Sequence, residues 1–364
     1  MERKKICFVA QFPPPMHGLS KAVDTLYHSE LSSEFDFEKI NITDNKLFLH
    51  NLIAISKSNA DLFYFTISQT KGGNIRDLII LKLIEKKGEK CLVHLHGGYY
   101  RTLIDQLGYW QRRVNYKLIS RIYGAIVLGP SLMWIFQGMV PDEKIYIVQN
   151  CIDDEFLLND NKFDLKIVGI NKRRIKHILY LSNFIRDKGY EDVLLMAKLE
   201  KERVMSGGEH RFHFEFAGKF YDDLERTWFE NYIDKNCLRE YVTYHGIVGG
   251  EEKNKLLEKC DIFVLLTKYK NEGQPISILE AMGNGMTIVT TMHAGIPDLV
   301  ENNVNGIVVS KDDINVDEIY NRILLLKDED LIQTAIRNRR FIKNEYSQSK
   351  YICNMKKIFA ECLY

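Results

Sequence analysis

Short runs of apolar residues recur along the chain, and most of them are bounded by Gly, Pro, Asn or another turn-forming residue. Between many of these runs the apolar residues repeat with a helical period, as in residues 78–88, 190–204 and 251–260. Near-continuous apolar runs are typical of parallel strands that helices cover on both faces. The alternation therefore predicts an α/β fold built from β-α-β units. The runs are KICFVAQ, DLFYFTI, CLVHLHG, GAIVLGP and IYIVQN, followed by HILYLSN, FHFEFAG, VTYHGIV, DIFVLLT, MTIVTT and GIVVS.

The runs fall into two sets of about six strands, separated by a polar and charged stretch at residues 153–174. A chain of 364 residues is also too long for one ordinary core, because domains average about 150 residues. We therefore predict two doubly wound, Rossmann-like domains, residues 1–165 and 170–340. A C-terminal helix over residues 345–364 is expected to pack back on the first domain.

Composition excludes several classes of protein. The formal net charge of +1 argues against a general nucleic-acid-binding protein, which needs a large basic excess. The seven cysteines are scattered without CxxC pairs, which indicates a reducing cytosol rather than a zinc site. No run approaches the roughly 20 apolar residues that a membrane helix needs. We expect a cytoplasmic protein, soluble or peripheral to a membrane.

The loops that follow strands in the first half carry two candidate features, because ligands of open parallel sheets bind beyond the carboxyl ends of the strands. The loop FPPPMHG is not a GxGxxG dinucleotide fingerprint. Its Gly18 either lets N–H groups approach an anion at the next helix or ends a proline-stiffened turn. In HLHGG, His94 is expected to be buried and hydrogen-bonded, whereas His96 lies at the strand end and is a functional candidate. No further ligand cluster accompanies them, so no metal site is predicted.

Lys188 is a candidate phosphate contact in the second half. It stands beside Gly189 in the polar loop after the strand at residues 177–183. An ammonium in that position makes a charge-assisted hydrogen bond to a phosphate. A solvated surface lysine is the alternative reading, since position after a strand is the only local distinction of this residue.

The stretch NEGQPISILE, residues 271–280, predicts an anion site at the start of a helix. Pro275 suits the first helical position, because its missing N–H would have no partner there. Neighbouring N–H groups then face an anion, helped by the helix dipole. These N–H groups belong to Gly273, Gln274, Ile276 and Ser277.

Two carboxylates, Glu272 and Glu280, flank this predicted anion site. Carboxylates do not bind the anion itself, but they accept hydrogen bonds from paired hydroxyls. The arrangement indicates a ligand with a diphosphate in the middle and a diol-bearing ring at each end. A nucleotide sugar has this structure.

At these residues the sequence resembles the GT-B glycosyltransferases of family 4 (glycosyl transferases group 1). These are retaining enzymes with two Rossmann-like domains facing across a cleft. The most specific match is the E-x7-E pair, Glu272 and Glu280, within NEGQPISILEAMGNGMTIVTT. The other matching segments are PPPMHG at 13–18, HLHGG at 94–98, DKG at 187–189 and AGIPDLVENNVNGIVV at 294–309. The resemblance covers nearly the whole chain.

The resemblance implies a role for each candidate residue. Glu280 would hold the ribose hydroxyls and Glu272 the hydroxyls of the sugar. Lys188 and the Gly18 loop would neutralise the diphosphate, and His96 would contact the donor sugar near the reacting carbon.

The resemblance also places a base-side wall at FAGKF and YHGIV, which contain Gly218 and Gly246. In the family the leaving phosphate helps to deprotonate the acceptor on the same face of the sugar. The resemblance therefore implies no metal and no other cofactor, because basic groups supply the electrostatic role.

The chain departs from the family at the diphosphate contacts, where Asn183 stands in place of the usual Arg. A second cation near Lys188 is therefore expected. Arg186 is one candidate, since its side chain can swing into the space that Asn183 leaves open. The N-terminal loop, through His17 or Lys21, is the other.

The leading hypothesis is a retaining, hexosyltransferase-type glycosyltransferase that uses a UDP- or GDP-linked sugar. Its acceptor would be a hydroxyl of a glycan or lipid-linked molecule in bacterial surface polysaccharide synthesis. A non-catalytic nucleotide-sugar-binding subunit and a GT-B epimerase are the alternatives. Basic and aromatic residues interleave at 110–125, which indicates either contact with the inner face of an anionic membrane or a solvated helix face. No nucleic-acid partner is expected.

Overall fold

The structure, a computed structural model, describes residues 3–15 and 18–364. The chain divides into two compact units. Unit 1 comprises the described residues up to Cys151 together with Asn271–Gln274 and Gln348–Tyr364. Unit 2 comprises Ile152–Lys270 and Pro275–Ser347.

Twelve strands and thirteen α-helices make up most of the regular structure of the described residues. The strands are β1 (Lys5–Ala10), β2 (Asp36–Asn41), β3 (Leu62–Thr66), β4 (Lys90–His94), β5 (Gly124–Val127), β6 (Ile145–Ile147), β7 (Lys176–Leu181), β8 (Phe212–Ala217), β9 (Val242–Tyr244), β10 (Ile262–Leu265), β11 (Thr287–Met292) and β12 (Gly306–Ser310). The helices are α1 (Gly18–Tyr27), α2 (Phe48–Lys57), α3 (Lys71–Lys87), α4 (Tyr100–Asp105), α5 (Tyr109–Ile119), α6 (Asp160–Ile170), α7 (Tyr190–Met205), α8 (Asp223–Lys235), α9 (Gly250–Lys259), α10 (Ile276–Gly283), α11 (Val316–Leu324), α12 (Asp328–Glu345) and α13 (Gln348–Leu363).

Unit 1 is a six-stranded parallel sheet, in the order β2-β1-β3-β4-β5-β6, with helices on both faces. The connections from β2 to β3, β3 to β4 and β4 to β5 advance in one direction, and the connection from β1 to β2 runs the other way. Because parallel connections are right-handed, α2, α3 and α5 cover one face and α1 covers the other. The C-terminal helix α13 joins the face of α1, where its Tyr351, Met355 and Phe359 pack with Phe8 and Tyr64.

Unit 2 repeats this architecture, with a six-stranded parallel sheet in the order β12-β11-β10-β7-β8-β9. Its core contains the strands' apolar residues, such as Leu179, Phe214 and Val264, all fully buried. The chain order reverses direction at β7, the first strand of the unit, as in doubly wound folds. The prediction of an α/β protein with two doubly wound domains is confirmed.

Two elements differ from the sequence pattern. The edge strand β2, DFEKIN, is absent from the predicted strands because most of its side chains are half-buried or exposed, so it has no apolar run. Helix α3 begins at Lys71, seven residues before the apolar repeat at residue 78. Its start contains Gly72 and Gly73, which are poor helix formers, but the Thr70 side chain caps it by accepting from the Gly73 N–H.

The stretch predicted as a linker, residues 153–174, contains helix α6. Asn159 caps this helix by accepting from the Lys162 N–H, and Phe163, Lys166 and Ile170 are buried along one side. Buried Lys166 donates to two backbone carbonyls. Because this charged residue lies on the buried face of α6, it interrupts the apolar repeat that would identify the helix in the sequence. The change from unit 1 to unit 2 lies between Cys151 and Ile152 instead.

Candidate functional site

Three loops at the carboxyl ends of β7, β8 and β9 meet through their backbones in unit 2. The N–H of Gly218 donates to the Gly246 carbonyl at 2.8 Å, and the Tyr244 hydroxyl donates to the Gly218 carbonyl at 2.9 Å. Gly218 has a φ of +146°, and a Cβ there would lie 1.9 Å from the Ser182 carbonyl oxygen. Only glycine fits this position. The structure thus brings Gly218 and Gly246 together, next to the loop that carries Asn183.

Lys188 ends a short 3₁₀ turn, Arg186–Lys188, that leads into α7. The next residue, Gly189, has a φ of +78°, and a Cβ there would lie 2.6 Å from the Leu266 carbonyl oxygen beyond β10. This close approach fixes the turn at the carboxyl end of the sheet. The Lys188 ammonium lies 5.2 Å from the centroid of the Tyr269 ring, in the loop between β10 and α10.

Arg186 has a setting that the sequence did not indicate. Its Nε donates to Glu225 of α8 at 2.9 Å, and its Nη1 lies 3.4 Å from Glu191 of α7. The guanidinium also lies 5.7 Å from the centroid of the Trp228 ring. The expectation that Arg186 fills the space beside Asn183 therefore needs correction, because two carboxylates already hold the side chain.

Helix α10 begins at Ile276, with Pro275 as its N-cap, one residue later than predicted. The first N–H groups of a helix have no carbonyl partner within it, so this turn presents donors. Ser277 lies in the same turn and is half-buried. The structure thus places three of the predicted site residues at the start of a helix of unit 2.

Glu280 is buried in the second turn of α10 and forms an ion pair within unit 2. Its Oε1 accepts from Lys253 Nζ of α9 at 2.6 Å, and the two side chains are only 5% and 15% exposed. The Lys253 ammonium also lies 3.9 Å from the centroid of the Phe156 ring. A ligand hydroxyl at Glu280 would therefore meet a carboxylate whose charge is balanced by Lys253.

The other half of the E-x7-E pair belongs to unit 1. The segment Asn271–Gln274 is assigned to unit 1, and Glu272 is buried within it. A Cβ on Gly273 would lie 2.9 Å from both the His96 carbonyl oxygen and the Gly97 Cα, so the segment lies directly against the loop after β4. Within unit 1, Glu272 is thus the neighbour of a residue, Gly273, that lies against the backbone of His96.

The side chain of Gln274 has a structural role, while the assignment of its backbone N–H to the anion stays a prediction. Its side-chain oxygen accepts from the Asn150 N–H at 2.8 Å, and its Nε2 donates to the Leu128 carbonyl at 3.2 Å. The Asn150 side chain returns a bond to the Gln274 carbonyl at 2.9 Å. Both ends of the amide are engaged and the residue is buried, so it positions the segment that contains Glu272.

The two histidines at the end of β4, His94 in its last position and His96 two residues beyond, stack on each other with ring centroids 3.9 Å apart. His94 is buried, and its Nδ1 lies 2.7 Å from the Tyr64 hydroxyl. Burial, with a smaller contribution from the neighbouring His96, lowers the pKa of His94 well below its ordinary value, so His94 is neutral. His96 is half-buried at the strand end, where the sequence placed it.

The N-terminal loop is described only in part. Gly18 is the exposed first residue of α1, and Lys21 lies one turn further along the helix, half-buried. His17, the other candidate for the missing cation, lies outside the described residues. The assignment of Gly18 and Lys21 to the diphosphate stays a prediction.

A buried carboxylate, Glu215 in β8, was missed at the sequence level. It accepts hydrogen bonds from His177 at 2.8 Å, from His245 at 2.6 Å and from Lys259 at 2.5 Å. Burial alone would raise the pKa of Glu215, but these donors outweigh it and hold the pKa far below its ordinary value. Because His245 precedes Gly246, the network supports the loop of the predicted base-side wall.

Lys253 was also missed at the sequence level, although a signal for it exists. It lies three and four residues before Leu256 and Leu257, the buried residues of α9. A lysine on the apolar face of a helix needs a hydrogen-bond acceptor there, either a carboxylate or a backbone carbonyl. That acceptor, Glu280, is distant in sequence, so only the fold identifies it.

No group of three His, Cys, Asp or Glu side chains within residues 3–15 and 18–364 is arranged to hold a metal ion. In the same part of the chain, the helices are all too short or too polar to span a bilayer.

The chain belongs to the family Glycosyl transferases group 1, which matches residues 161–348. It is 28% identical over 330 residues to the amylovoran biosynthesis glycosyltransferase AmsK of Erwinia amylovora, covering 86% of this chain and 74% of the relative. A shorter match of 123 residues, 28% identical, is to the putative colanic acid biosynthesis glycosyltransferase WcaL of Escherichia coli and covers 32% of this chain and 30% of the relative. The protein is thus a glycosyltransferase, and these two relatives are named for the biosynthesis of the polysaccharides amylovoran and colanic acid.

Solved structures show the same GT-B fold. Anabaena HepE, in a complex with UDP and glucose, has a TM-score of 0.72 at 14% identity and covers 99% of this chain and 100% of its own. The sucrose-phosphate synthase of Thermosynechococcus elongatus has a TM-score of 0.73 at 13% identity and covers 99% of both chains. At these identities the likeness concerns the fold alone.

Proposed function

We propose that this protein is a retaining glycosyltransferase of family 4. It moves a hexose from a UDP- or GDP-linked donor to a hydroxyl of a glycan or lipid-linked acceptor in surface polysaccharide synthesis. It works without a metal, at the inner face of a membrane. The observation that carries the proposal is the buried Glu280–Lys253 pair beneath the N-terminal turn of α10.

The arrangement of unit 2 suits a nucleoside diphosphate. Helix N-termini favour anions, and Lys188 adds a positive charge at the carboxyl end of the sheet. Glu280 is a buried acceptor for the ribose diol, with its charge balanced by Lys253. Gly246 leaves room for a base beside the backbone, because a Cβ there would have no atom within 4 Å, whereas Gly218 lets the loop after β8 pack closely against the Ser182 carbonyl.

Unit 1 supplies the groups that we assign to the sugar. Glu272 would accept from the sugar hydroxyls, and His96 would contact the sugar near the reacting carbon. Gly273 and Gln274 hold the backbone of this segment. In the proposed reaction the departing phosphate takes the proton of the acceptor hydroxyl as the new bond forms on the same face.

The test uses the purified protein with a panel of UDP- and GDP-linked sugars. Without an acceptor we expect slow release of free sugar and nucleotide. A lipid-linked acceptor should accelerate nucleotide release and receive the sugar with retention at the anomeric carbon. A new nucleotide sugar would instead identify an epimerase, and binding without turnover would identify a regulatory subunit. EDTA should leave turnover unchanged, and a loss that divalent cations reverse would overturn the metal-free mechanism.

Two substitutions separate the roles of the carboxylates. Glu280→Ala should weaken nucleotide binding, whereas Glu272→Ala should mainly slow transfer, because its partner hydroxyls belong to the sugar whose carbon develops charge. Calorimetric titration with UDP and GDP measures the first effect, and steady-state kinetics measure the second. Equal losses of nucleotide affinity would contradict this division.

A further inference from the structure

The outer faces of α2, α3 and α5 in unit 1 expose apolar side chains to solvent. Ile53 of α2 is 55% exposed, Ile79 of α3 is 44% exposed, and Val114 of α5 is 42% exposed. The inner faces of the same helices bury other residues against the sheet. These helices are therefore apolar on two sides, which a helix covering a sheet in water does not require.

The exposed side chains line one continuous groove of about 730 Å³. A volume of this size holds a small ligand or part of a longer chain. We call it the lysine-rimmed groove, and it is lined by Leu52, Ile53, Ser56, Lys57, Leu78, Ile79, Lys82, Leu83, Lys86, Val114, Lys117 and Leu118.

The rim of the groove is positively charged. Of its four lysines, Lys82 forms an ion pair with Glu85 at 2.5 Å. The other three, Lys57, Lys86 and Lys117, make no ion pair with any residue in 3–15 or 18–364. The groove therefore has an apolar floor, and the long lysine side chains at its rim can hold their ammonium groups above that floor.

Aromatic side chains extend the surface on α5. Trp110 is 75% exposed and lies four residues before Val114, which puts both on the same face of the helix. Tyr109 is 58% exposed and packs edge-on against Trp110, with ring centroids 5.2 Å apart. Trp and Tyr are the residues enriched where a protein meets the boundary between lipid and water.

The chemistry of the groove favours lipid over a protein partner. The buried centre of a protein interface is depleted in lysine, whereas lysines around an apolar surface suit anionic lipid headgroups. In a bilayer surface the apolar floor would contact acyl chains, the lysines would contact anionic headgroups, and the aromatic side chains would lie at the boundary between them.

We propose that the lysine-rimmed groove docks the protein on an anionic lipid bilayer, with an acyl chain in the groove and the headgroups at its lysines. This inference rests on the proposed function, since it specifies the surface at which a lipid-linked acceptor is presented. It also assigns Trp110, Val114 and Lys117 of the 110–125 stretch to membrane contact rather than to a solvated helix face.

The test measures sedimentation of the full chain with vesicles in the absence of donor. Wild type should bind vesicles that contain phosphatidylglycerol, bind pure phosphatidylcholine vesicles at least tenfold more weakly, and lose affinity as salt is added. Ile79→Asp should lower the affinity for phosphatidylglycerol vesicles at least tenfold. Its matched control is Ile336→Asp, because Ile336 of unit 2 is also 44% exposed and lies outside the groove.

Charge reversal tests the rim separately. Each of Lys57→Glu and Lys117→Glu should lower vesicle affinity about fivefold or more, on the scale of one basic residue near an anionic surface. Lys172→Glu, on the exposed end of unit 2 after α6, should change it less than twofold. Equal effects of the rim and control substitutions would overturn the proposal.

Hydrolysis of the sugar donor in solution separates this proposal from the proposed function. The groove variants should keep wild-type hydrolysis, which also shows that they fold. If wild type hydrolyses donor but does not bind vesicles, the docking surface and the membrane location are wrong, while the sugar-transfer function stands. If it binds vesicles without any sugar chemistry, the function is wrong. Light scattering measures the oligomeric state. If wild type is a dimer that Ile79→Asp dissociates, and it does not bind vesicles, the groove binds a second copy of the chain instead.

Discussion

Replacing Lys253 by methionine should destabilise unit 2 far more than a surface lysine substitution does. Met keeps the length of the side chain and removes its charge. The Lys253 ammonium lies 2.6 Å from Glu280 Oε1, and the side chains are 15% and 5% exposed. The substitution therefore leaves a carboxylate in a buried position with its cation removed.

The expected cost follows from the burial of the pair. Removing one partner of a buried ion pair costs about 3–5 kcal/mol, because the other charge loses its opposite charge in a place that water reaches poorly. Lys253 retains some exposure, which favours the lower end, about 3 kcal/mol. For a unit of this size each kcal/mol lowers the melting temperature by about 2–4 °C, so Lys253→Met should lower it by about 6–12 °C.

Thermal unfolding followed by circular dichroism measures this shift, and two further variants make it specific. Lys255→Met is the matched control, because Lys255 lies on the same helix and pairs with Glu251 while both are more than 70% exposed. Such a pair contributes less than about 0.5 kcal/mol. The double variant Lys253→Met with Glu280→Gln should recover most of the loss, since no buried charge remains. A shift for Lys253→Met within 2 °C of the control would refute the reasoning.

Three other perturbations follow from the same geometry. Gly218→Ala should cost about 3 kcal/mol or more, because strain at positive φ adds to a clash with a carbonyl, whereas Gly72→Ala, in open space, should not destabilise; urea unfolding compares them. Glu215→Gln should lower the melting temperature at pH 7, and its difference from wild type should shrink as pH falls below about 4.3. A depressed pKa gives stability that is present above the unfolded-state pKa and is lost as the folded-state carboxylate is protonated. Lys188→Ala should slow turnover by about a hundredfold, and Arg186→Ala by less than about threefold, in steady-state kinetics.

Much of the fold could be predicted from the sequence because parallel strands buried on both faces are continuous apolar runs. The strand β2 was not predicted, because an edge strand with exposed side chains has no apolar run. Helix α6 was not predicted because buried Lys166 interrupts its apolar repeat. The ammonium donates to backbone carbonyls that are distant in sequence, so no local pattern indicates that this lysine is buried. In both cases tertiary contacts, rather than local preference, decide the structure.

Only those residues of the candidate site that lie at the end of a strand or near the start of a helix could be predicted from the sequence. His96, Lys188 and Glu280 became candidates because they lie at such ends or within a spaced pair, and their roles stay predictions. Lys253 and Glu215 were not, because each acts through a partner that is distant in sequence. The setting of Arg186 depends on carboxylates of α7 and α8 that its own loop does not contain.

The E-x7-E pair is divided by the fold in a way that its spacing conceals. The chain passes from unit 1 to unit 2 between Gln274 and Pro275, so the two glutamates are held by different supports. Glu272 depends on Gln274, whose amide bonds to the backbone of Leu128 and Asn150, whereas Glu280 depends on Lys253. A change at Gln274 can therefore disturb the first carboxylate and leave the second in place. The spacing of the motif marks the point where the chain changes units, rather than two positions along one helix.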